Sequence, residues 1–197
     1  MMLEPACPAR TCVLVVQPWT IGVKDRELFS SLPRCLAKLR SKGVLIGYVS
    51  YSDAVSGSFV RASDFAFFLM SSNLAQGAGI SRAEAERLCG DPIFLPLDYP
   101  AFVPFLDEQL MKRKIDHLLI VGGFTEDCVL AVAKFVCKFS KVQGLKVRLI
   151  EKLMVSQRNP TIAPDMPKKL AAYSKCYSCS VAVSSKGPNE LYLKYFR

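Results

Sequence analysis

Apolar positions recur along this chain in two rhythms. Short, nearly unbroken aliphatic runs stand at Cys12–Val16, Val44–Val49, Leu118–Val121, Val147–Ile150 and Ser180–Val183. Runs of this length without polar alternation are the mark of strands covered on both faces, and such strands belong to parallel sheets. Between them the period lengthens. Residues Glu27 to Lys42 place Leu28, Leu32, Cys35, Leu36 and Leu39 on one helical stripe, and Gly43 follows where a helix would end. Pro33 marks either a first-turn start or a kink within it. A second helix is predicted from Ala101 to Lys114, turning Phe102, Phe105, Leu106, Leu110 and Met111 inward. A third, from Glu126 to Val142, buries Val129, Val132, Ala133, Val136 and Cys137 before Gly144. Strands alternating with helices predict a doubly wound α/β domain: a mostly parallel six-stranded sheet, helices on both faces, right-handed crossovers.

One stretch breaks the rhythm. Residues 53–90 carry the apolar run Phe65-Ala66-Phe67-Phe68-Leu69-Met70, the loop Gln76-Gly77-Ala78-Gly79, and a short helical piece in which Ser81 and Glu84 have capping-box spacing. The apolar run reads as core or subunit contact, and the segment as an insertion over the carboxyl edge of the sheet that lines a pocket or serves a subunit contact, the contact being slightly preferred.

The 197 residues suit one domain, 1–197, with a single core, and 51% hydrophobic against 22% charged residues excludes disordered and fibrous classes. No apolar run approaches the ~18 residues of a membrane-spanning helix. The first strand begins so early that no separate signal peptide is expected, which makes the cytoplasm the default location and a membrane partner unexpected. The eight cysteines are dispersed singly through apolar patterns, so free thiols are expected. A net charge of +9 permits attraction to nucleic acid, but the basic residues are scattered along solvated helix faces, and solubility is the simpler account.

Chemistry concentrates at Gly122-Gly123-Phe124-Thr125-Glu126-Asp127-Cys128-Val129, between the strand Leu118–Val121 and a long helix. Ligands of open α/β sheets gather beyond the carboxyl ends of strands, so this turn is where a site belongs. A cysteine in a first helical turn also feels the positive end of the helix dipole, while Glu126 and Asp127 oppose a further negative charge.

Glycine, two variable residues, threonine, two more, then Cys-Val after an apolar strand resembles the nucleophile turn of the isochorismatase-like cysteine hydrolases. The resemblance extends to the opening strand ending Val15-Val16-Gln17, the helix before Gly43-Val44-Leu45, the helix from Ala101-Phe102 to Leu110, and Gly144-Leu145-Lys146-Val147 before a strand. It implies that Cys128 stands at the nucleophile position, attacking the carbonyl or nitrile carbon of a small amide-like compound. It implies backbone oxyanion donors at Phe124 and Cys128, and a non-proline cis peptide at Gly123-Phe124. The family's general-base aspartate falls on Gln17, and its lysine on Pro96 or Leu97. An amide cannot take a proton at neutral pH, and neither alternative at the lysine position carries one.

Asp98 and Lys152 are the accessory groups from which a rearranged site could be built. Relatives that hydrolyse nicotinamide bind a metal through histidines and an aspartate; here Asp53 stands in the corresponding stretch without a histidine, so no metal and no cofactor are expected. His117, the single histidine, opens the middle strand at the far end of the sheet and reads as structural or surface. Cys176 and Cys179 have pair spacing but no second pair to complete a zinc site. The expected function is a hydrolase-fold protein, catalytically impaired, acting through binding or assembly, with a small-molecule ligand and a homo-oligomer as partners. The alternatives are an active hydrolase of a small amide, ester or other carbon–nitrogen bond, and a nucleic-acid-associated protein like the relatives that carry a ribonuclease label.

Overall fold

In the computed structural model, residues 8–18, 26–51, 61–70, 87, 91–96, 99–156 and 180–184 are described. Seven strands form one sheet: β1 (Thr11–Val16), β2 (Leu45–Tyr51), β3 (Phe65–Met70), β4 (Asp91–Pro96), β5 (His117–Gly123), β6 (Lys146–Val155) and β7 (Ser180–Ser184). Their spatial order is β4-β3-β2-β1-β5-β6-β7, and every neighbouring pair is parallel. The order reverses between β1 and β5. That is the switch point at which a parallel sheet opens a crevice for ligands.

Three α-helices are described: α1 (Arg26–Ser41), α2 (Val103–Lys112) and α3 (Leu130–Phe139). Alternate residues of each strand feed two cores. On one face Leu14, Val16, Val49, Phe67 and Ile120 pack with Leu106 and Leu110 of α2 and Val132 and Val136 of α3. On the other, Val13, Val15, Ile46, Tyr48 and Val121 pack with Leu32, Leu36 and Leu39 of α1. The doubly wound parallel sheet with helices on both faces is thus present, with seven strands where six were expected. Five of the seven are the aliphatic runs named above; the other two are β3 and β4, and in β3 Phe65, Ala66, Phe67 and Phe68 are fully buried. Of the two readings of this run, core holds for Phe65–Phe68, and the subunit contact loses its support there. The remainder of the 53–90 segment, apart from residues 61–64 and Arg87, and the apolar tail at Leu191–Phe196 lie outside the described residues.

Two further expectations are corrected. Of the two readings of Pro33, the first-turn start is overturned, because the residue lies in the interior of α1. Phe105 and Met111 are 39% and 54% exposed and do not face the core. A 3-10 turn at Tyr99–Phe102 precedes α2, so the buried stripe runs through Val103, Leu106 and Leu110, and Phe105 falls off it.

A buried ion pair anchors α1 to the start of β3. The Arg40 guanidinium donates to both Asp64 carboxylate oxygens, at 2.8 and 2.5 Å, and to the Tyr48 hydroxyl at 2.9 Å; the Arg61 N–H also donates to Asp64 at 2.9 Å. Burial beside this carboxylate pushes the Tyr48 hydroxyl pKa upward, so it stays protonated as a neutral partner. On the opposite face Asp107 of α2 accepts from the Ser140 hydroxyl and the Lys141 N–H, both at 2.6 Å, tying α2 to the end of α3.

Gly122 is the tightest point of the sheet. It pairs with Val16 across β1 and β5 at a φ of 116°, and a Cβ placed on it would lie 1.9 Å from the Val16 carbonyl oxygen. Both the conformation and the space exclude a side chain. Gly122→Ala is therefore expected to destabilise the fold by about 3 kcal/mol or more, read from urea unfolding midpoints. Asp64→Ala, which leaves the Arg40 charge without its pair, is expected to cost about 3 kcal/mol in the same measurement, against under about 0.5 kcal/mol for the exposed control Glu108→Ala.

Candidate active site

The carboxyl end of β5 runs directly into the nucleophile turn. The Gly123-Phe124 peptide bond is cis, as the resemblance implied. Phe124 is extended (φ −84°, ψ 146°), and the backbone then closes a π-helical turn over Thr125–Val129 before α3 begins at Leu130. This corrects the expected helix start. Cys128 belongs to the wide turn that precedes α3, where the Phe124 carbonyl accepts from the N–H groups of Asp127 (3.2 Å) and Val129 (3.1 Å). The N–H of Cys128 lies between those two donors in sequence and does not join them on that carbonyl. A π turn does this by widening the ring to five residues, and such turns recur at functional sites for that reason. An amide so placed can serve an oxyanion, which is the role the resemblance assigned to it.

Three contacts hold the turn. The buried Thr125 hydroxyl donates to the Val155 carbonyl at 2.9 Å, clamping the turn to the end of β6. Cys128 is half-buried and packs against the core shared with α2 and α3, while Phe124 packs against the core on the α1 side. The turn straddles both layers. Asp127 is exposed, so its charge faces water.

Gln17 follows Val16, the residue opposite Gly122, and therefore stands at the carboxyl edge beside the nucleophile turn. It is fully buried, in a left-handed conformation (φ 44°), with its N–H donating to the Val49 carbonyl at 2.8 Å. The Ser50 hydroxyl donates to its side-chain carbonyl at 3.5 Å. Left-handed backbone is uncommon for a residue with a Cβ, and here the β1–β2 ladder enforces it. The position that the resemblance assigns to a general base thus holds a neutral amide packed inside the protein.

The lysine position is less closely placed. Pro96 ends β4, the outermost described strand on that side, four strand spacings or about 19 Å from β5. Leu97 and Asp98 lie outside the described residues. The chain returns over the sheet at Tyr99–Phe102, where the Phe102 ring sits 5.7 Å from that of Phe67. Lys152 lies in β6, within an irregular stretch of ladder. Ile120 pairs with Leu149 and Gly122 with Met154, so β6 advances five residues while β5 advances two. Bulges of this kind bend a strand and re-aim residues beside active sites.

His117 lies at the opposite edge of the sheet from Cys128. It is buried, with Nδ1 2.7 Å from an Asp116 carboxylate oxygen, and Asp116 also pairs with Arg10. Among the described residues no group of three or more histidines, cysteines, aspartates or glutamates could hold a metal. Cys176 and Cys179 lie outside them.

Burial separates the thiols. Desolvation pushes the pKa of Cys12 far above the usual range, and that of half-buried Cys35 upward as well; both changes disfavour thiolate. Two contributors to the site escaped the sequence reading. Ser50 reaches Gln17 only through the β1–β2 register, and Thr125, although part of the motif, gave no sign that its hydroxyl would be buried.

No protein-family model matches this sequence, and no curated protein matches it either. Comparison of structures is more informative. The fold is similar to that of a cysteine hydrolase from Pseudomonas syringae pv. phaseolicola 1448A, at 15% identity and a TM-score of 0.52, covering 99% of this chain and 98% of that one. An isochorismatase from Pseudomonas putida KT2440 also aligns at 15% identity and a TM-score of 0.52, over 92% of each chain. YcaC from Pseudomonas aeruginosa, solved with hexane-2,5-diol and covalent acrylamide, aligns at 12% identity and a TM-score of 0.53, over 93% of this chain and 80% of that one. A parallel sheet of the expected connectivity, a cysteine turn at its switch point and structural neighbours of this kind agree: the chain has the fold of the isochorismatase-like cysteine hydrolases.

Proposed function

We propose that this protein is a catalytically impaired hydrolase-fold protein, acting through ligand binding or assembly at a site centred on Cys128. One observation carries the reading: Gln17 is buried at the carboxyl end of β1, beside the turn that presents Cys128 and its backbone donor. An ordinary thiol is only a few per cent thiolate at neutral pH, and a positioned base contributes ~10² to 10⁴ in rate. A carboxamide supplies none of that assistance. Its carbonyl and N–H₂ can instead hydrogen-bond a neutral ligand. The site so read takes a small carbonyl compound, with the carbonyl oxygen directed at the Phe124 and Cys128 amides.

The second reading is an active hydrolase of a small amide or ester with a rearranged site. The bulged stretch of β6 favours it, because Lys152 stands there beside the nucleophile turn and lysine is a competent proton carrier when its environment lowers its pKa.

Alkylation separates the two. In the impaired protein Cys128 reacts with iodoacetamide at pH 7 no faster than an unassisted exposed thiol, and the same holds for acrylamide. A rapid phase that disappears in Cys128→Ala and slows in Lys152→Met would establish the second reading instead. Gln17→Asp combined with a lysine at Leu97 or Pro96 is expected to raise hydrolysis of simple amides by about 10²-fold or more over the parent. Hydrolysis left at the parent rate in both double variants, with the fold intact by circular dichroism, would show that the pocket itself cannot accept such compounds.

A further inference from the structure

The parallel topology gathers onto one edge the cations that are scattered along the sequence. Each described helix runs back across the sheet and ends where the next strand begins, so the carboxyl ends of α1, α2 and α3 all meet the amino edge. There Lys38 and Lys42 project from one helical layer and Lys112, Lys114, Lys138 and Lys141 from the other, all exposed. The edge is level. Thr11, His117, Lys146 and Ser180, the first residues of β1, β5, β6 and β7, are paired across the ladder. Carboxylates here are partnered: Asp64 with Arg40, Asp116 with Arg10 and His117, and Asp107 with the Ser140 hydroxyl and the Lys141 backbone N–H. Glu108 adds one exposed acid on α2, and Asp91 begins β4 at the same edge.

Cations in the last turn of a helix are favoured by the helix dipole, and that accounts for part of the pattern. It does not account for Lys42, Lys114 and Lys141, which lie beyond the helices, or for the apolar side chains among them. Met111 is 54% exposed and Phe139 43% exposed, each flanked by lysines. Lys138 Nζ lies 5.0 Å above the Phe139 ring. Phe139 also stacks on Phe135, with ring centroids 6.1 Å apart, so its outer face and Met111 are the apolar parts of this surface.

We propose that this amino edge is a docking surface for an anionic lipid bilayer. A second copy presenting this same face would meet like charge. A nucleic acid would suit the charge, but its backbone follows a line, whereas these lysines span both helical layers. Exposed at this edge with the six lysines are Arg10, Arg61 and Arg113, so lysines, which act as point charges, outnumber the arginine forks that phosphate-backbone and base recognition favour. A bilayer matches a broad level patch, attracts lysines through its surface potential, and admits Met111 and Phe139 into the headgroup layer. The active-site edge, with Asp127 and Glu27, then faces away from the membrane.

Sedimentation of the full chain with vesicles tests this. Binding is expected to vesicles of phosphatidylcholine with about 30% phosphatidylserine, at least about tenfold tighter than to phosphatidylcholine alone, and to be lost as salt rises. The triple variant Lys112→Glu/Lys114→Glu/Lys141→Glu should weaken it by about tenfold or more. Met111→Ser/Phe139→Ser should weaken binding with less change in salt dependence, and Arg26→Glu at the opposite edge should leave it unchanged. Circular dichroism confirms that each variant is folded. Equal binding to neutral vesicles, no binding to either, insensitivity to the lysine variants, or displacement from the vesicles by equimolar single-stranded RNA would each overturn the proposal, the last in favour of a nucleic-acid surface.

Discussion

The backbones of β1 and β5 touch at Val16 and Gly122 with no space for a side chain between them, and the geometry of the carboxyl edge follows from that contact. Because Gly122 is held there, Gly123 and Phe124 leave the strand at a set height, at the switch point of the sheet. Thr125 secures the far side of the turn to β6, and Gln17 fills the near side as the residue after Val16. The cysteine is therefore presented by the Val16–Gly122 backbone contact, the Thr125 clamp and packing into the two cores. Such an arrangement survives replacement of the groups that would move protons.

Its rigidity comes from the two cores. Phe124 is packed into the α1 side and Cys128 into the α2 and α3 side, so displacement of the turn would disturb both layers. Interiors packed to crystal-like density resist such movement. The buried Arg40–Asp64–Tyr48 group and the Asp107–Ser140 tie secure helices to neighbouring elements near the opposite edge. The cysteine turn and these anchoring contacts thus occupy opposite ends of the strands.

The same directionality polarises charge. Parallel strands joined by returning helices place helix starts at one edge and helix ends at the other, and acids and bases sort themselves accordingly along the dipoles. Glu27 and Asp127 accompany the site, while most of the exposed lysines considered above cluster at the amino edge. Along the sequence these lysines look dispersed because successive helices lie tens of residues apart.

Local pattern alone determined the class of fold. The aliphatic runs at β1, β2, β5, β6 and β7, the helical stripe of α1 and the glycines after the helices are short-range signals, and each produced the element it predicted. The cysteine turn was legible for the same reason, since a strand, a glycine pair and a helix start are contiguous. Contacts between distant segments were another matter. The strand identity of Phe65–Met70, the exposure of Phe105 and Met111, the approach of Ser50 to Gln17 and the bulge beside Lys152 depend on register and on which surfaces other elements cover. Those are decided by packing across the sheet, where residues far apart in the chain compete for the same space, and no local periodicity encodes the outcome.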